Sequence, residues 1–249
     1  MHQRILIVDF GSQYTQLIAR RIREHKVFSE VVPPHKALEA AQQPGLQGII
    51  LSGGPGSAYA NDAPQLPIEM LDLGVPIFGI CYGMQWLCEN LGGKVVPGES
   101  GEYGFTKMQV GDSSSLFEKV DSETVVWMSH GDRVESLPEG FVRMAYTEDC
   151  PEAAIGDVER SIYAVQFHPE VGHTQQGARM LQNFLMDICK CAADWTPEDL
   201  ATELIAKVRE QVGEDGEIIL GLSGGVDSSV VGAICQQAIG KRCHAIFVD

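Results

Sequence analysis

Residues 79–83 read Gly-Ile-Cys-Tyr-Gly and place Cys81 between two glycines, after the apolar run 75–78 and before a helical pattern. A strand, a tight turn and a helix in this order form a nucleophile elbow, in which the strained turn presents a reactive side chain. The partial positive charge at the N-terminus of the helix favours a thiolate there. The alternative is a small buried side chain at a crossover turn. Cys81 is thus a candidate nucleophile that requires a base nearby.

A histidine and an acid follow a later strand. The apolar run 161–167 leads directly into His168, Pro169 and Glu170. Pro169 restricts the chain just past the strand, so the two polar side chains can emerge on one side, with the carboxylate orienting the imidazole. By itself this tripeptide is typical of a surface turn. Together with the elbow it predicts a site for nucleophilic acyl transfer, with Cys81, His168 and Glu170 as the catalytic residues.

A glycine-rich turn follows the apolar strand 48–51. Residues 52–56 read Ser-Gly-Gly-Pro-Gly, which could be a plain turn between a strand and a helix, or a phosphate cradle, although no lysine follows as a P-loop requires. Beside a cysteine elbow we interpret this turn as half of an oxyanion hole. The backbone N–H groups of Gly54 and Tyr82 would then bind the tetrahedral oxygen, and each such donor lowers the barrier by about 3 kcal/mol.

A second loop rich in glycine and serine lies near residue 225. It connects an apolar strand to a helix, and its two glycines permit positive φ. Successive N–H groups, hydroxyls and the helix N-terminus can together bind phosphate oxygens. The loop lacks the Walker lysine pattern, and the simpler interpretation is an ordinary turn. The candidate nucleotide-binding residues are Ser223, Gly224, Gly225, Val226, Asp227, Ser228 and Ser229.

The elements that must position these motifs alternate between strand and helix. We predict strands at 4–10, 30–32, 48–51 and 75–80 and helices at 13–25, 65–73 and 83–91. Apolar runs without alternation are typical of strands that helices cover on both faces. The predicted fold class is therefore α/β, with a doubly wound, mostly parallel sheet.

Strands without intervening helices follow, at 104–110, 124–128, 142–147, 153–156 and 161–167, before a helix at 176–189. This pattern predicts an antiparallel extension of the same sheet. A helix at 196–212, a strand at 217–222, a helix at 229–239 and a strand at 244–248 come last. We predict domains 1–194 and 195–249, the second of them truncated, because one βαβ unit cannot bury both faces of its sheet.

Composition and charge restrict the classes of partner. The chain has 249 residues, 44% of them hydrophobic, and a net charge of −16 that disfavours binding to nucleic acid or anionic membranes. No apolar run approaches the ~20 residues of a membrane span. Seven cysteines without a regular framework indicate free thiols and a cytoplasmic location. Cys189 and Cys191 could suggest a metal, but no second ligand pair accompanies them in the sequence, so we interpret both as helix-face residues.

Three motifs, at residues 52–55, 79–85 and 167–170, resemble in their order and spacing the signatures of class I (triad) glutamine amidotransferases. The segments 9–14 and 127–132 restrict the resemblance to one kind of enzyme within that family. The resemblance spans essentially the whole chain. It implies the family's α/β fold and the hydrolysis of glutamine by the predicted triad.

The resemblance also implies which residues surround the substrate. From the residues alone, the segment 129–132 is better interpreted as a polar hairpin loop. His130 is not assigned to catalysis, because His168 lies next to Glu170 and is the better base. The residues that the resemblance places around glutamine, Gly131 through its backbone, are Gln85, Ser129, Gly131 and Asp132.

The loop at 223–229 resembles the PP-loop of ATP pyrophosphatases, which holds the pyrophosphate released when ATP adenylates a substrate. The resemblance implies ATP as co-substrate and Mg²⁺ near Asp227. In family members that carry both domains, ammonia from glutamine aminates adenylated xanthosine monophosphate (XMP), giving GMP, AMP and diphosphate, and the full-length protein is expected to be a homodimer. The XMP-binding and dimerisation segments would lie downstream of residue 249, so this chain alone is expected to retain the glutaminase part.

Two alternatives stay open from the sequence. One is another class I amidotransferase or a cysteine hydrolase of the same fold, against which the loop at 223–229 argues, because other synthases of this class are not expected to carry it. The second is a non-catalytic fragment that only binds glutamine or a partner chain. A glutamine-like electrophile that adds mass to Cys81 would separate the active from the inert protein.

Overall fold

The computed structural model describes residues 2–60, 62–112 and 115–247. The chain divides into two compact units, Met1–Asp194 and Trp195–Asp249. Within the described ranges, none of the helices combines the length and the apolar character that crossing a membrane requires.

The first unit contains the elements that carry the candidate site. Its strands are β1 (Arg4–Val8), β2 (Phe28–Val32), β3 (Leu46–Leu51), β4 (Ile77–Ile80), β5 (Lys94–Val110), β6 (Glu123–Ser136), β7 (Val142–Tyr146), β8 (Ala154–Asp157) and β9 (Ile162–Val165). Its helices are α1 (Thr15–Glu24), α2 (Pro34–Ala41), α3 (Tyr82–Asn90) and α4 (Gly177–Gln182), which continues as a π-helix over Asn183–Ile188. Short 3₁₀ segments span Ile68–Asp72 and Ser115–Phe117.

These strands form a single sheet in the order β2-β1-β3-β4-β9-β8-β7-β5-β6. The pairs from β2 to β9 are parallel, and the pairs from β9 to β6 are antiparallel. The sheet therefore has a parallel half and an antiparallel half, which meet at β9.

Apolar side chains pack on both faces of the parallel half. On one face Ile5 and Ile7 of β1 pack in a cluster with Ile18 of α1. On the other face Leu6 of β1 packs in a cluster with Trp86 of α3. Alternate residues of a strand point to opposite faces, and every residue of β1 is buried. The structure thus confirms the predicted α/β class, with a doubly wound parallel sheet and an antiparallel extension that here makes up half of the strand pairs.

Strand β9 brings the two catalytic motifs together. The sequence pattern grouped 161–167 with the antiparallel strands, and this is only partly correct, since β9 is antiparallel to β8 but parallel to β4. The Cys81 N–H donates to the Val165 carbonyl at 2.8 Å. The carboxyl ends of β4 and β9 therefore lie side by side, so the residues that follow them, Cys81 and His168, are neighbours.

In the first unit, one helical prediction was wrong and one helix was missed. The predicted helix 65–73 is only the 3₁₀ segment Ile68–Asp72, because Pro67 lacks an N–H and disfavours helical backbone before it. The sequence pattern also missed α2, which carries a proline at its first turn, where the fixed φ of proline suits a helix.

The hairpin-loop interpretation of 129–132 was also wrong. These residues lie within β6, and His130 is paired with Glu102 of β5. The pairing is irregular, because the register shifts between Pro97 and Glu102. Polar residues are typical of loops, but in this strand they face polar partners and a cavity.

The second unit consists of α5 (Pro197–Val212), β10 (Ile218–Leu222), α6 (Val226–Ile239), a 3₁₀ segment (Gly240–Arg242) and β11 (Cys243–Phe247). The two strands pair in parallel, and α6 begins three residues before the predicted helix 229–239. Val248 of the predicted last strand lies outside the described residues. Ile219 and Phe247 are 76% and 63% exposed.

Candidate active site

Cys81 occupies a strained turn between β4 and α3. Its backbone has φ +52° and ψ −104°, a region that costs a non-glycine residue roughly 1–3 kcal/mol. Close packing maintains the turn, because a Cβ at Gly83 would overlap the Leu51 carbonyl and one at Gly79 would lie 2.8 Å from the backbone of Gly83. The turn has the geometry of a nucleophile elbow.

His168 and Glu170 form a buried pair beside this turn. The Nδ1 atom of His168 lies 2.8 Å from Oε1 of Glu170, and the two residues are 4% and 1% exposed. The imidazole and Cys81 line the same cavity. The Thr174 hydroxyl donates to the His168 carbonyl at 2.6 Å, and the ring of Tyr14 packs edge-on against the imidazole at 5.0 Å. The structure thus brings the three predicted catalytic residues together.

The surroundings of His168 favour its protonated form. Burial lowers the pKa of His168, but the hydrogen bonds with Cys81 and Glu170 outweigh that effect and raise it to about 10. At neutral pH the ring therefore carries both protons and can form an ion pair with a Cys81 thiolate. Such pairing is what turns a thiol into a nucleophile at neutral pH.

Replacing Glu170 by glutamine is expected to lower the pKa of His168 by about one to two pH units. A hydrogen bond to a charged group is worth roughly 1.5–3 kcal/mol, and about 1.4 kcal/mol corresponds to one pH unit. The sign is downward because the carboxylate stabilises the protonated ring and the amide does not. Nitrogen NMR of the histidine-labelled chain would measure the titration, with the signal assigned by its loss in His168→Asn. An unchanged midpoint in Glu170→Gln would show that the carboxylate does not hold the proton.

The predicted oxyanion donors lie on either side of Cys81. Tyr82 is the first residue of α3, and Gly54 follows β3 in the neighbouring loop. Among residues 2–60, 62–112 and 115–247, neither N–H donates to another backbone carbonyl. A Cβ at Gly54 would lie 3.0 Å from the Phe10 carbonyl and 3.1 Å from the Tyr82 ring, so a side chain there would crowd this corner.

Two cavities meet at Cys81. One, of about 390 Å³, is lined in part by Gln85, Ser129, Gly131 and Asp132, the residues that the resemblance places around glutamine. The other, of about 270 Å³, is lined by residues 11–14 and by His168. Gly54, Pro55, Cys81 and Ser129 line both cavities.

Hydrogen bonds between distant segments of the chain stabilise the walls of the larger cavity. The Gln85 side-chain amide donates to the Asp132 carbonyl at 3.1 Å and to Oε1 of Gln166 at 3.2 Å. The hydroxyls of Ser57 and Tyr59 donate to the Asp132 carboxylate. The sequence analysis did not identify Ser57, Tyr59 or Gln166. Only the position of Gln166, two residues before His168, could have suggested it.

A second group of the same residue types lies at the wall of this cavity, which His130 lines. Ligating atoms of Glu102, His130 and Cys150 lie within 4.8 Å of one another, a spacing that a divalent cation could bridge. The sequence analysis did not identify Glu102 or Cys150. Glu102 lies 28 residues before His130, so no local motif connects them.

In the second unit, the candidate phosphate loop joins β10 to α6. Gly224 has φ +76°, and the Ser223 N–H donates to the Ser228 hydroxyl at 3.3 Å. The hydroxyls of Ser228 and Ser229 donate to the Gly225 carbonyl at 3.1 and 2.9 Å. The first turn of α6 contains Val226, Asp227, Ser228 and Ser229. Backbone N–H groups in the first turn of a helix attract anions.

Comparison with known protein families identifies the class of the protein. The family described as glutamine amidotransferase class-I matches residues 6–188, and the chain therefore belongs to that family. A second family, described as NAD synthase, matches residues 199–248.

Among curated relatives, the chain is similar to GMP synthases. GMP synthase (glutamine-hydrolyzing) of Pseudomonas syringae pv. syringae is 51% identical over 254 residues, and that of Hydrogenovibrio crunogenus is 50% identical over 254 residues. Each match covers 99% of this chain and 48% of the relative. The chain thus spans about half the length of the curated relatives that it matches.

Solved structures agree with the family. A putative GMP synthase subunit from Thermoplasma acidophilum is 33% identical with a TM-score of 0.67, and the match covers 76% of this chain and 95% of that one. A glutamine amidotransferase from Thermotoga maritima is 21% identical with a TM-score of 0.58, and covers 95% and 99% of the two chains. The second likeness concerns the fold alone.

Proposed function

We propose that this chain hydrolyses glutamine to glutamate and ammonia, as the ammonia-generating part of a GMP synthase. The observation that carries the proposal is the position of Cys81, on a strained elbow where two cavities meet, beside the buried pair His168 and Glu170. A nucleophile, a base and an acid that orients the base are the parts that acyl transfer requires.

The acylation step uses the ion pair. The Cys81 thiolate attacks the side-chain carboxamide carbon of glutamine, and the N–H groups of Gly54 and Tyr82 bind the resulting oxyanion. The C–N bond then breaks while His168 gives a proton to the departing nitrogen, which leaves as ammonia. A γ-glutamyl thioester on Cys81 and a neutral His168 remain.

Hydrolysis of the thioester reverses these roles. His168, now neutral, accepts a proton from water as the water attacks the thioester carbon. The C–S bond breaks, the thiolate leaves, and the ion pair with the protonated imidazole forms again. Glu170 orients the ring in both steps and stabilises its protonated form. The cavity at residues 11–14, which His168 lines, offers space for the departing ammonia and the entering water.

Substrate binding is assigned to the larger cavity. We place the glutamine side chain toward Cys81 and its α-ammonium group toward the Asp132 carboxylate, since opposite charges attract within a few ångströms. Gln85 and Ser129 line the same cavity, and the backbone of Gly131 supplies further polar contacts. Ser57 and Tyr59 already donate hydrogen bonds to the Asp132 carboxylate, so it is oriented before glutamine arrives.

The ammonia is proposed to aminate adenylated XMP, giving GMP, AMP and diphosphate for purine nucleotide biosynthesis. The relatives at 50% and 51% identity are GMP synthases, which supports this destination. The loop at 223–229 supports ATP as co-substrate, because hydroxyls and helix N-terminal amides suit the oxygens of pyrophosphate. The exposed Asp227 carboxylate in that first turn suits Mg²⁺, a cation that prefers oxygen ligands.

Three broader features belong to the same proposal. The whole enzyme would act as a homodimer in the cytoplasm. The net charge of −16 on this chain argues against nucleic acid and anionic membranes as partners. Free thiols in all seven cysteines suit a reducing compartment.

Three assays on the purified chain test the proposed function. Glutamate release from glutamine is expected, and a glutamine-like chloroketone is expected to add its mass to Cys81. With glutamine, ATP, Mg²⁺ and XMP, we expect glutamate without GMP from this chain alone. Neither release nor labelling would favour a protein that only binds glutamine, and GMP formation would refute the restriction to the glutaminase part.

A further inference from the structure

Glu102, His130 and Thr147 form a buried polar network at the wall of the glutamine cavity, which His130 itself lines. Nε2 of His130 lies 3.2 Å from Oε2 of Glu102, and Nδ1 lies 2.9 Å from the Asp132 carbonyl oxygen. The Thr147 hydroxyl donates to Oε1 of Glu102 at 3.2 Å. These three side chains come from β5, β6 and the segment just after β7, and all three residues are at most 9% exposed.

The network is not a second catalytic triad, although Cys150 lies beside it. Cys150 is 1% exposed. Burial and the neighbouring Glu102 charge raise the pKa of its thiol to about 12. A neutral, inaccessible thiol cannot serve as a nucleophile.

Both ring nitrogens of His130 already have hydrogen-bond partners. One partner is a carbonyl and the other a carboxylate, and each of these groups only accepts hydrogen bonds. The ring is therefore held from two sides, by Glu102 of β5 and by the Asp132 backbone of β6. A metal ion bound to Nε2 would have to replace the contact with Glu102, so these contacts favour a hydrogen-bonded network.

The network lies where the regular pairing between β5 and β6 is interrupted. Between Pro97 and Glu102 of β5 the register shifts, so β5 pairs with β6 at Asp132 and next at His130. Regular ladder hydrogen bonds are lost at such an irregularity. The Asp132 carbonyl instead accepts from His130 Nδ1 and from Gln85 Nε2, at 2.9 and 3.1 Å. Side chains therefore fix the backbone that forms one wall of the cavity.

We infer that Glu102 and His130 are positioning residues for glutamine binding, which hold the backbone of Gly131 and Asp132 against the cavity. The inference rests on the proposed glutaminase function of the same site. Neither residue touches the sulfur of Cys81 in this role, so they affect how well glutamine binds more than how Cys81 reacts.

Glutamine binding can be measured without turnover in a Cys81→Ala chain. In that background, His130→Asn and the milder Glu102→Gln are expected to weaken binding by about tenfold, because each disrupts the buried hydrogen bond between these side chains. Glu135→Gln, an exposed carboxylate further along β6, is the matched control and should leave the dissociation constant unchanged. Titration calorimetry gives these constants.

The alkylation rate of Cys81 distinguishes a specific loss of glutamine binding from a general structural defect, because only the general defect would change that rate. In chains that keep Cys81, iodoacetamide needs no glutamine pocket and should alkylate the three variants at the rate of the unsubstituted chain. Unchanged glutamine affinity in both network variants would overturn the inference, and so would a parallel collapse of binding and alkylation. A stoichiometric divalent metal in the purified chain, lost together with glutamine affinity on chelation, would overturn it as well. If the unsubstituted chain binds glutamine but releases no glutamate, the proposed function fails while this inference is still tested.

Discussion

Alanine in place of Cys81 is expected to abolish glutamine hydrolysis, with a loss of about 10⁴-fold or more, in a chain that still folds. The substitution removes the nucleophile but keeps Cβ and the backbone of the elbow. The hydrogen bonds of the sulfur are long, 3.8 Å to the Ser129 carbonyl and 3.6 Å from Gln166 Nε2, so their loss removes little stabilisation of the fold. Glutamate release measures the activity, and thermal unfolding measures the fold.

Cys88 provides the matched control on the same helix. It is fully buried, and burial raises the pKa of its thiol to about 12, so it stays neutral and unreactive. Cys88→Ala is expected to lower stability through lost packing while hydrolysis continues. Hydrolysis that survives Cys81→Ala, or disappears equally in Cys88→Ala, would refute the assignment of Cys81.

The motifs that could be predicted from the sequence are local. The elbow around Cys81 and the pair His168 and Glu170 each lie within a few residues, and glycine and proline restrict the backbone there in known ways. The sequence pattern grouped the strand before His168 with the antiparallel strands, but the two motifs meet because carboxyl ends of parallel strands share one edge. The structure shows the pairing that achieves this, β4 beside β9.

The parts that could not be predicted depend on partners distant in the chain. Gln85 contacts Gln166 across 81 residues, and His130 contacts Glu102 across 28. Nothing in the polar segment 129–132 indicates a strand until its buried partners are known. Tertiary contacts outweigh local preference in such a segment, which is why the hairpin-loop interpretation failed.

A methyl group at Gly177 is expected to damage both stability and activity. A Cβ there would overlap the carbonyl of Pro169, the residue between His168 and Glu170. Because backbone cannot swing aside as a side chain can, Gly177→Ala must displace the His-Pro-Glu segment or the start of α4. Overpacking of this kind costs about 1–3 kcal/mol of unfolding free energy, and a displacement of about 1 Å at the reacting groups costs about 100-fold in rate. Denaturant unfolding and kcat/KM for glutamine measure the two effects.

Gly172→Ala is the control variant. It adds the same methyl group at a nearby position where nothing would collide with it. Gly172 lies in the same stretch of chain after Glu170, but a Cβ there would meet nothing within 4 Å. This variant should keep kcat/KM within about twofold and gain roughly 0.4–1 kcal/mol, because alanine restricts the unfolded chain. If Gly177→Ala kept its activity as Gly172→Ala should, the His-Pro-Glu segment would tolerate displacement. Packing against α4 would then not be what aligns His168 with Cys81. If only Gly177→Ala loses activity, the close contact with Pro169 is part of the catalytic geometry.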